Sequence, residues 1–200
     1  MEDIYFYKMT VDNGGAPCVY DNILSLAICK PGIRLSAVTD DWIIGFGAKT
    51  TIGERLIYIA QITDKIEDGR YYKLDQYFDR PDCIYRWDEK NKIYYWKQGK
   101  SYHQDGSELK YDLGKSTNVL ISDRFIYFGS SGTDSYKEKY SILKEAIEGL
   151  RQGYRVNHSK ILFEELRLLI EESLELCIKG IPTNINSICD KTIACQCRNL

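Results

Sequence analysis

Histidine is scarce in this chain: two among 200 residues, His103 and His158. No H-E-x-x-H, P-loop, G-x-G-x-x-G turn or G-x-S-x-G elbow occurs, which removes the commonest signatures of zinc proteases, nucleotide hydrolases, dinucleotide binders and α/β-hydrolases. No apolar run approaches the roughly 18 residues of a membrane span. The start, Met1-Glu2-Asp3-Ile4-Tyr5, is acidic and passes straight into a strand-like pattern. The expectation is therefore no signal peptide, no membrane partner and a cytoplasmic location. Excess charge is missing too: 27 Lys and Arg against 29 Asp and Glu leave a net charge of −2. Proteins that coat nucleic acid nonspecifically are usually basic, so only a local basic groove remains open.

Cysteine is present in an odd number, seven, scattered at 18, 29, 83, 177, 189, 195 and 197. That fits a reducing compartment better than a disulfide framework. Cys189, Cys195 and Cys197 cluster as C-x5-C-x-C with no histidine nearby. Zinc sites favour paired C-x-x-C or His/Cys units, so free thiols and no metal are expected there. No cofactor is called for. Hydrophobic content of 44% and charged content of 28% are ordinary for a globular protein, while 16 tyrosines are an excess. Tyrosine suits half-buried strands and also stacking on bases.

The first 130 or so residues read as β-rich. Strand patterns cover 4–11, 41–47, 55–63, 92–97 and 119–129, and the 55–63 run has apolar residues on both faces, as a covered central or barrel strand does. The stretch 70–86 reads as a short helix or ordered loop, and 98–116 as a long polar surface loop. From about 134 the pattern turns helical. Ser135 and Glu138 have capping-box spacing ahead of Tyr136, Tyr140, Leu143, Ile147 and Leu150, with Gly153 as a stop. A second helix is expected over about 159–179, ended by Gly180 and Pro182. The fold class is α+β: a small, curled, mostly antiparallel sheet followed by two C-terminal helices. Residues 1–133 form the β-rich core and 134–200 a helical extension packed on it, in one structural unit.

Chemistry concentrates near the start. Gly14-Gly15-Ala16-Pro17-Cys18, then Cys29-Lys30-Pro31-Gly32-Ile33-Arg34, place permissive glycines, rigid prolines, two thiols and two cations ahead of the strand Trp42-Ile43-Ile44-Gly45-Phe46-Gly47. Such a loop binds a phosphate through its N–H groups, or simply fastens the start of a sheet. Cys18 or Cys29 becomes a nucleophile if Lys30 or Arg34 activates it. His103, in Ser101-Tyr102-His103-Gln104-Asp105-Gly106, reads as a solvated loop residue. Arg155 and His158 lie between the two helices, where an interhelical turn and an anion site are equally compatible with the residues.

Lys8-Met9-Thr10-Val11-Asp12 with Gly14 to Pro17, then Leu26-Ala27-Ile28-Cys29-Lys30-Pro31 with Ile33-Arg34, then Asp41 to Gly47, together resemble the second nucleotide modification associated domain family. The resemblance is most specific over 5–62 and resumes around 119–132 and Gly153-Tyr154-Arg155. It implies a bacterial or phage protein found near systems that make modified DNA bases. The order of the Trp42 strand, the 57–63 strand, an aromatic insert and a closing Phe125-Ile126-Tyr127-Phe128 strand is similar to the EVE branch of PUA-like barrels, which hold a nucleobase in an aromatic pocket.

Together the resemblances imply aromatic faces from Trp42, Phe46, Tyr58, Tyr127 and the Arg80 loop, with Lys30, Arg34 and Arg124 on flanking phosphates. Gly14, Gly15, Arg155 and His158 complete the candidate nucleotide-binding set. The implied function is binding of modified DNA or a modified nucleotide, with other proteins of a DNA-modification or phage-defence system as partners. The alternatives are an enzyme that modifies or removes a base or processes a free nucleotide, and a non-catalytic interaction subunit.

Overall fold

The computed structural model describes residues 2–99, 102–103, 106–176 and 180–184. In chain order its strands are β1 Ile4–Met9, β2 Cys18–Tyr20, β3 Ile23–Leu26, β4 Trp42–Gly47, β5 Leu56–Gln61, β6 Asp64–Ile66, β7 Tyr85–Asp88, β8 Ile93–Trp96, β9 Val119–Ser122, β10 Arg124–Tyr127 and β11 Tyr154–Arg155. The α-helices are α1 Pro31–Ser36, α2 Leu109–Gly114, α3 Tyr136–Lys139, α4 Ser141–Glu148 and α5 Lys160–Leu174. The chain divides into two units. The first takes Met1–Gly14, Asp40–Gln61 and the chain from Arg124 on; the second takes Gly15–Thr39 and Ile62–Asp123.

The first unit is built on one sheet in the order β10-β5-β4-β1-β11, with β1 and β4 parallel and the other pairs antiparallel. Alternation along the strands sends Ile4, Phe6, Trp42, Ile44, Phe46, Ile59 and Ile126 into one core, where they meet Leu143 and Ile147 of α4 and Leu162, Leu166, Leu169 and Ile170 of α5. The opposite face is buried as well, with Tyr5, Tyr7, Ile43, Tyr58 and Ala60 all at or below 4% exposure. That agrees with the two-sided apolar pattern of 55–63. Ser159 starts α5 as expected, its Oγ accepting the Leu162 N–H at 3.3 Å.

Two expectations for this unit need correction. Strands β10 and β11 each have a partner on one side only, so among the described residues the sheet stays open and no barrel closes. Helices cover the apolar face that a closed sheet would otherwise have to bury against itself. The single helix expected from Ser135 is broken as well. Tyr140, at φ −120° and ψ 86°, separates the one-turn α3 from α4. Ser135 does not cap; its Oγ pairs with Thr133 Oγ1 at 2.9 Å. The start of α4 is served instead by Glu165 of α5, which accepts the Leu143 N–H at 2.6 Å.

The second unit holds an antiparallel sheet in the order β2-β3-β9-β6 and the hairpin β7–β8. The apolar run 119–129 is thus two strands rather than one: β9 belongs to this unit and β10 to the first, with Asp123 between them. The core is rich in tyrosine; Tyr71, Tyr72, Tyr85 and Tyr102 pack with Ile28, Ile84, Leu113 and Val119. Their hydroxyls recruit buried polar partners. Arg80 donates to Tyr71 Oη at 3.0 Å and Ser25 Oγ at 2.6 Å, and both hydroxyls donate to Asp82, at 2.7 and 2.5 Å. The 70–86 stretch supplies two 3-10 turns, Arg70–Tyr72 and Asp75–Tyr77, before β7. The supposed surface loop 98–116 contains α2.

Candidate active site

Between β3 and α1 the chain turns sharply through Cys29 (φ 56°) and Lys30 (φ 42°), two consecutive non-glycine residues in the left-handed region. Each such residue costs roughly 1–2 kcal/mol, so the surroundings must hold the turn in place. Pro31 follows at the first position of α1, where its missing N–H is harmless. Both peptide groups of Cys29 are tied down. Its N–H donates to Asp112 Oδ1 at 2.7 Å, and its carbonyl accepts Arg34 Nε–H at 2.8 Å.

Arg34 has no measurable exposure. Besides Cys29 it donates to the carbonyls of Ser116 at 3.0 Å, Asn118 at 2.8 Å and Asp112. Its guanidinium therefore joins the Cys29 turn to α2 and to the segment entering β9. A buried cation whose three nitrogens all donate to backbone carbonyls shapes a site rather than grips an anion.

Asp112, also fully buried, is the hub. Its Oδ2 accepts the Tyr85 hydroxyl at 2.8 Å and lies 2.9 Å from His103 Nδ1. The other ring nitrogen, Nε2, lies 3.7 Å from Cys29 Sγ. The sequence reading of His103 as solvated is corrected here: its side chain is 20% exposed and joins a thiol to a carboxylate. The hydrogen bond to Asp112, followed by that to Cys29, raises its pKa to about 10, so it is an imidazolium at neutral pH. Burial and the Asp112 carboxylate push the Tyr85 hydroxyl far up, leaving it a donor. Cys29 is half-buried and free of disulfide.

Cys29 Sγ and Asp112 Oδ2 meet different nitrogens of the His103 ring, while Asp112 Oδ1 holds the Cys29 N–H. Among the described residues no group of three His, Cys, Asp or Glu side chains is arranged to hold a metal ion. A thiol next to a cationic imidazole that a buried carboxylate orients has the geometry of covalent catalysis. The attacking form of a cysteine is its thiolate. Cys18, the other thiol raised by the sequence, is buried and pushed well above the ordinary thiol range by that burial and by Asp82.

The remaining candidates are divided between the two units. Lys30 adjoins Cys29, half-buried, with its pKa lowered by burial. Gly15 is buried where a side-chain carbon would come within 2.8 Å of the Tyr102 ring, and Gly14 ends the first unit at φ 83°. Arg80 is committed to the Asp82 network. In the first unit, Phe46 packs edge-on against Phe6. Tyr58 meets the Tyr7 hydroxyl at 3.0 Å and is pushed up by burial, and the Tyr127 hydroxyl donates to Asp12. Trp42 and Phe46 face the helices, whereas Tyr58 lies over Gly45 on the other face of the sheet. Exposed Arg124 sits over the Trp42 ring at 5.4 Å. Arg155 donates to the Asn157 carbonyl, and His158 stacks on Phe6 and bonds the Ile4 carbonyl at 2.6 Å. Cys189, Cys195 and Cys197 lie outside the described residues.

Sequence reasoning missed His103, Asp112 and Tyr85 as partners of Cys29. A usable signal for α2 was present in Leu109 and Leu113, four apart around Asp112 inside an otherwise polar stretch. Nothing in the sequence pointed from that turn to Cys29. A sequence model described as nucleotide modification associated domain 2 matches residues 1–187. No curated protein and no solved structure is a significant match.

Proposed function

The chain belongs to the nucleotide modification associated domain 2 family, and on that premise we propose that it is an enzyme of nucleotide modification working by covalent catalysis at Cys29. His103 is the acid and base of the reaction, and Asp112 fixes its ring. The observation that carries this reading is the line Cys29 Sγ to His103 Nε2 at 3.7 Å and His103 Nδ1 to Asp112 Oδ2 at 2.9 Å. Family membership supports the nucleotide part, and the relay supports the catalytic part. The experiment is incubation of the protein with free and DNA-borne modified nucleotides, followed by mass spectrometry of both protein and nucleotides. The expected result is a changed nucleotide that Cys29→Ser no longer produces. Equal conversion by that variant would sink the reading.

A second reading, a binder of modified bases, is favoured by the exposed Arg124 guanidinium over the Trp42 ring. It predicts a preference among modified duplexes that Cys29→Ser keeps and Arg124→Ala loses. In either case the expected setting is a cytoplasmic DNA-modification or defence system of a bacterium or phage. Among the described residues no helix is long and apolar enough to cross a membrane.

A further inference from the structure

Sulfur nucleophiles serve several chemistries, and they differ in what the neighbouring proton must do. Alkyl transfer to sulfur leaves a stable thioether and asks nothing of an imidazole. Addition of sulfur to a pyrimidine ring requires proton exchange at a ring carbon, away from the sulfur. Acyl transfer needs one proton carried to a leaving group at the carbon that sulfur attacks, then recovered from the incoming nucleophile at that same carbon. An imidazole facing sulfur through one nitrogen and held by a carboxylate through the other serves that third requirement. His103 is placed so, with Nε2 on the Cys29 side and Nδ1 on Asp112 Oδ2. The Tyr85 hydroxyl on Asp112 Oδ2 and the Cys29 N–H on Oδ1 give the carboxylate two further donors that help keep it in place.

We propose that Cys29 is an acyl-transfer nucleophile, and that its substrate is an amide or ester whose acyl group passes through a thioester on Cys29 Sγ. The proposal rests on the reading of Cys29 as the nucleophile given above. In the first half-reaction the thiolate attacks the acyl carbon and a C–S bond forms. The C–N or C–O bond to the leaving group breaks, and the departing amine or alcohol takes the Nε2 proton of His103. In the second, water or an amine gives its proton back to His103 Nε2 as it attacks the thioester carbon. The C–S bond breaks and the thiolate–imidazolium pair is restored. Nothing is oxidised or reduced, and one acyl bond is exchanged for another. In a nucleotide-modifying protein this places the chain at a step where an acyl group is attached to, or removed from, an amino or hydroxyl substituent of a base or nucleotide.

Two probes separate this proposal from the reading beneath it. Iodoacetamide tests the nucleophile alone; p-nitrophenyl acetate, with N-acyl and O-acyl nucleosides beside it, tests acyl chemistry. The expected result with the ester is release of more than one equivalent of p-nitrophenolate per protein, through an acetyl adduct on Cys29 that hydroxylamine removes. His103→Gln lowers turnover by about 100-fold or more and lets the acetyl adduct persist, as loss of the acid–base group predicts. Tyr85→Phe, a milder change at the same carboxylate, lowers turnover about 10-fold or less while leaving iodoacetamide labelling in place. Rapid, His103-dependent alkylation of Cys29 without any hydroxylamine-labile adduct or ester turnover overturns acyl transfer and leaves the nucleophile standing. A nucleotide adduct stable to hydroxylamine overturns it too, in favour of a thioether. Alkylation of Cys29 no faster than a free thiol, unchanged in His103→Gln, overturns both. The adduct measurements use the wild-type chain, so a variant that fails to fold does not remove the test.

Discussion

The two histidines make the contrast between the two units concrete. His103, in the second unit, lies between a thiol and a buried carboxylate and is held charged up to about pH 10. His158, in the first, stacks on Phe6 and bonds a backbone carbonyl, and burial lowers its pKa. One ring bridges a thiol and a buried carboxylate, and the other fills a corner of an apolar core. The difference extends to the surroundings. The first unit is held largely by aliphatic packing between a regular sheet and two helices. The second uses short strands, tyrosines and buried ions whose hydrogen bonds are satisfied by one another and by carbonyls. Buried polar networks fix geometry at the cost of desolvation, and that trade suits a place where three side chains must stay aligned.

The strongest way to break the contrast is to remove Arg34. Arg34→Met leaves carbonyls of Cys29, Asp112, Ser116 and Asn118 without their buried donor, and should cost about 3–5 kcal/mol in urea unfolding. It should also abolish selective alkylation of Cys29. Leu166→Ala, in the aliphatic core of the first unit, should cost about 2–5 kcal/mol and leave that selectivity intact in the folded fraction. Loss of selectivity in both variants would contradict the division of labour.

The pH dependence of stability sharpens the comparison with a smaller effect. His103 binds its proton more tightly folded than unfolded, so its contribution is present in full below about pH 6.5 and is lost as pH rises toward about 10. His158 behaves oppositely. Its folded form resists the proton that the unfolded chain accepts, so it lowers stability as pH falls below about 6.5. Urea midpoints across the range should show His103→Gln flattening the alkaline decline and His158→Gln flattening the acid one. The same slope in both variants would mean that the two rings are not differently set. The smallest effect is at the helix cap: Ser159→Ala should cost about 1 kcal/mol, read from the shift in the thermal midpoint, with no change in Cys29 reactivity.

Much of the first unit was legible in the sequence because its determinants are local. Alternating and continuous apolar runs marked β1, β4 and β5, and a serine followed by apolar residues at steps of three and four marked α5. The failures have a common cause. Residues 119–129 are one apolar run, yet the chain changes sheets at Asp123, and no periodicity records which sheet a strand joins. Tyr136 and Tyr140 keep helical spacing, yet the backbone leaves the helix at Tyr140, and Glu165 from α5 serves the start of α4. The Cys29 block stood out by composition, but its partners lie 74 and 83 residues away, in a stretch that reads as polar loop.

By itself the sequence determined the family, the strand-forming and helix-forming segments and the thiol-bearing turn, since each depends on residues close together in the chain. Only the tertiary structure decided that the sheet stays open among the described residues and that Arg34 is a buried clamp. It also decided that His103 and Asp112 meet Cys29. A hydrogen bond between residues so far apart exists only once the core has fixed both backbones, and there the environment, not the residue type, sets the charge an imidazole carries.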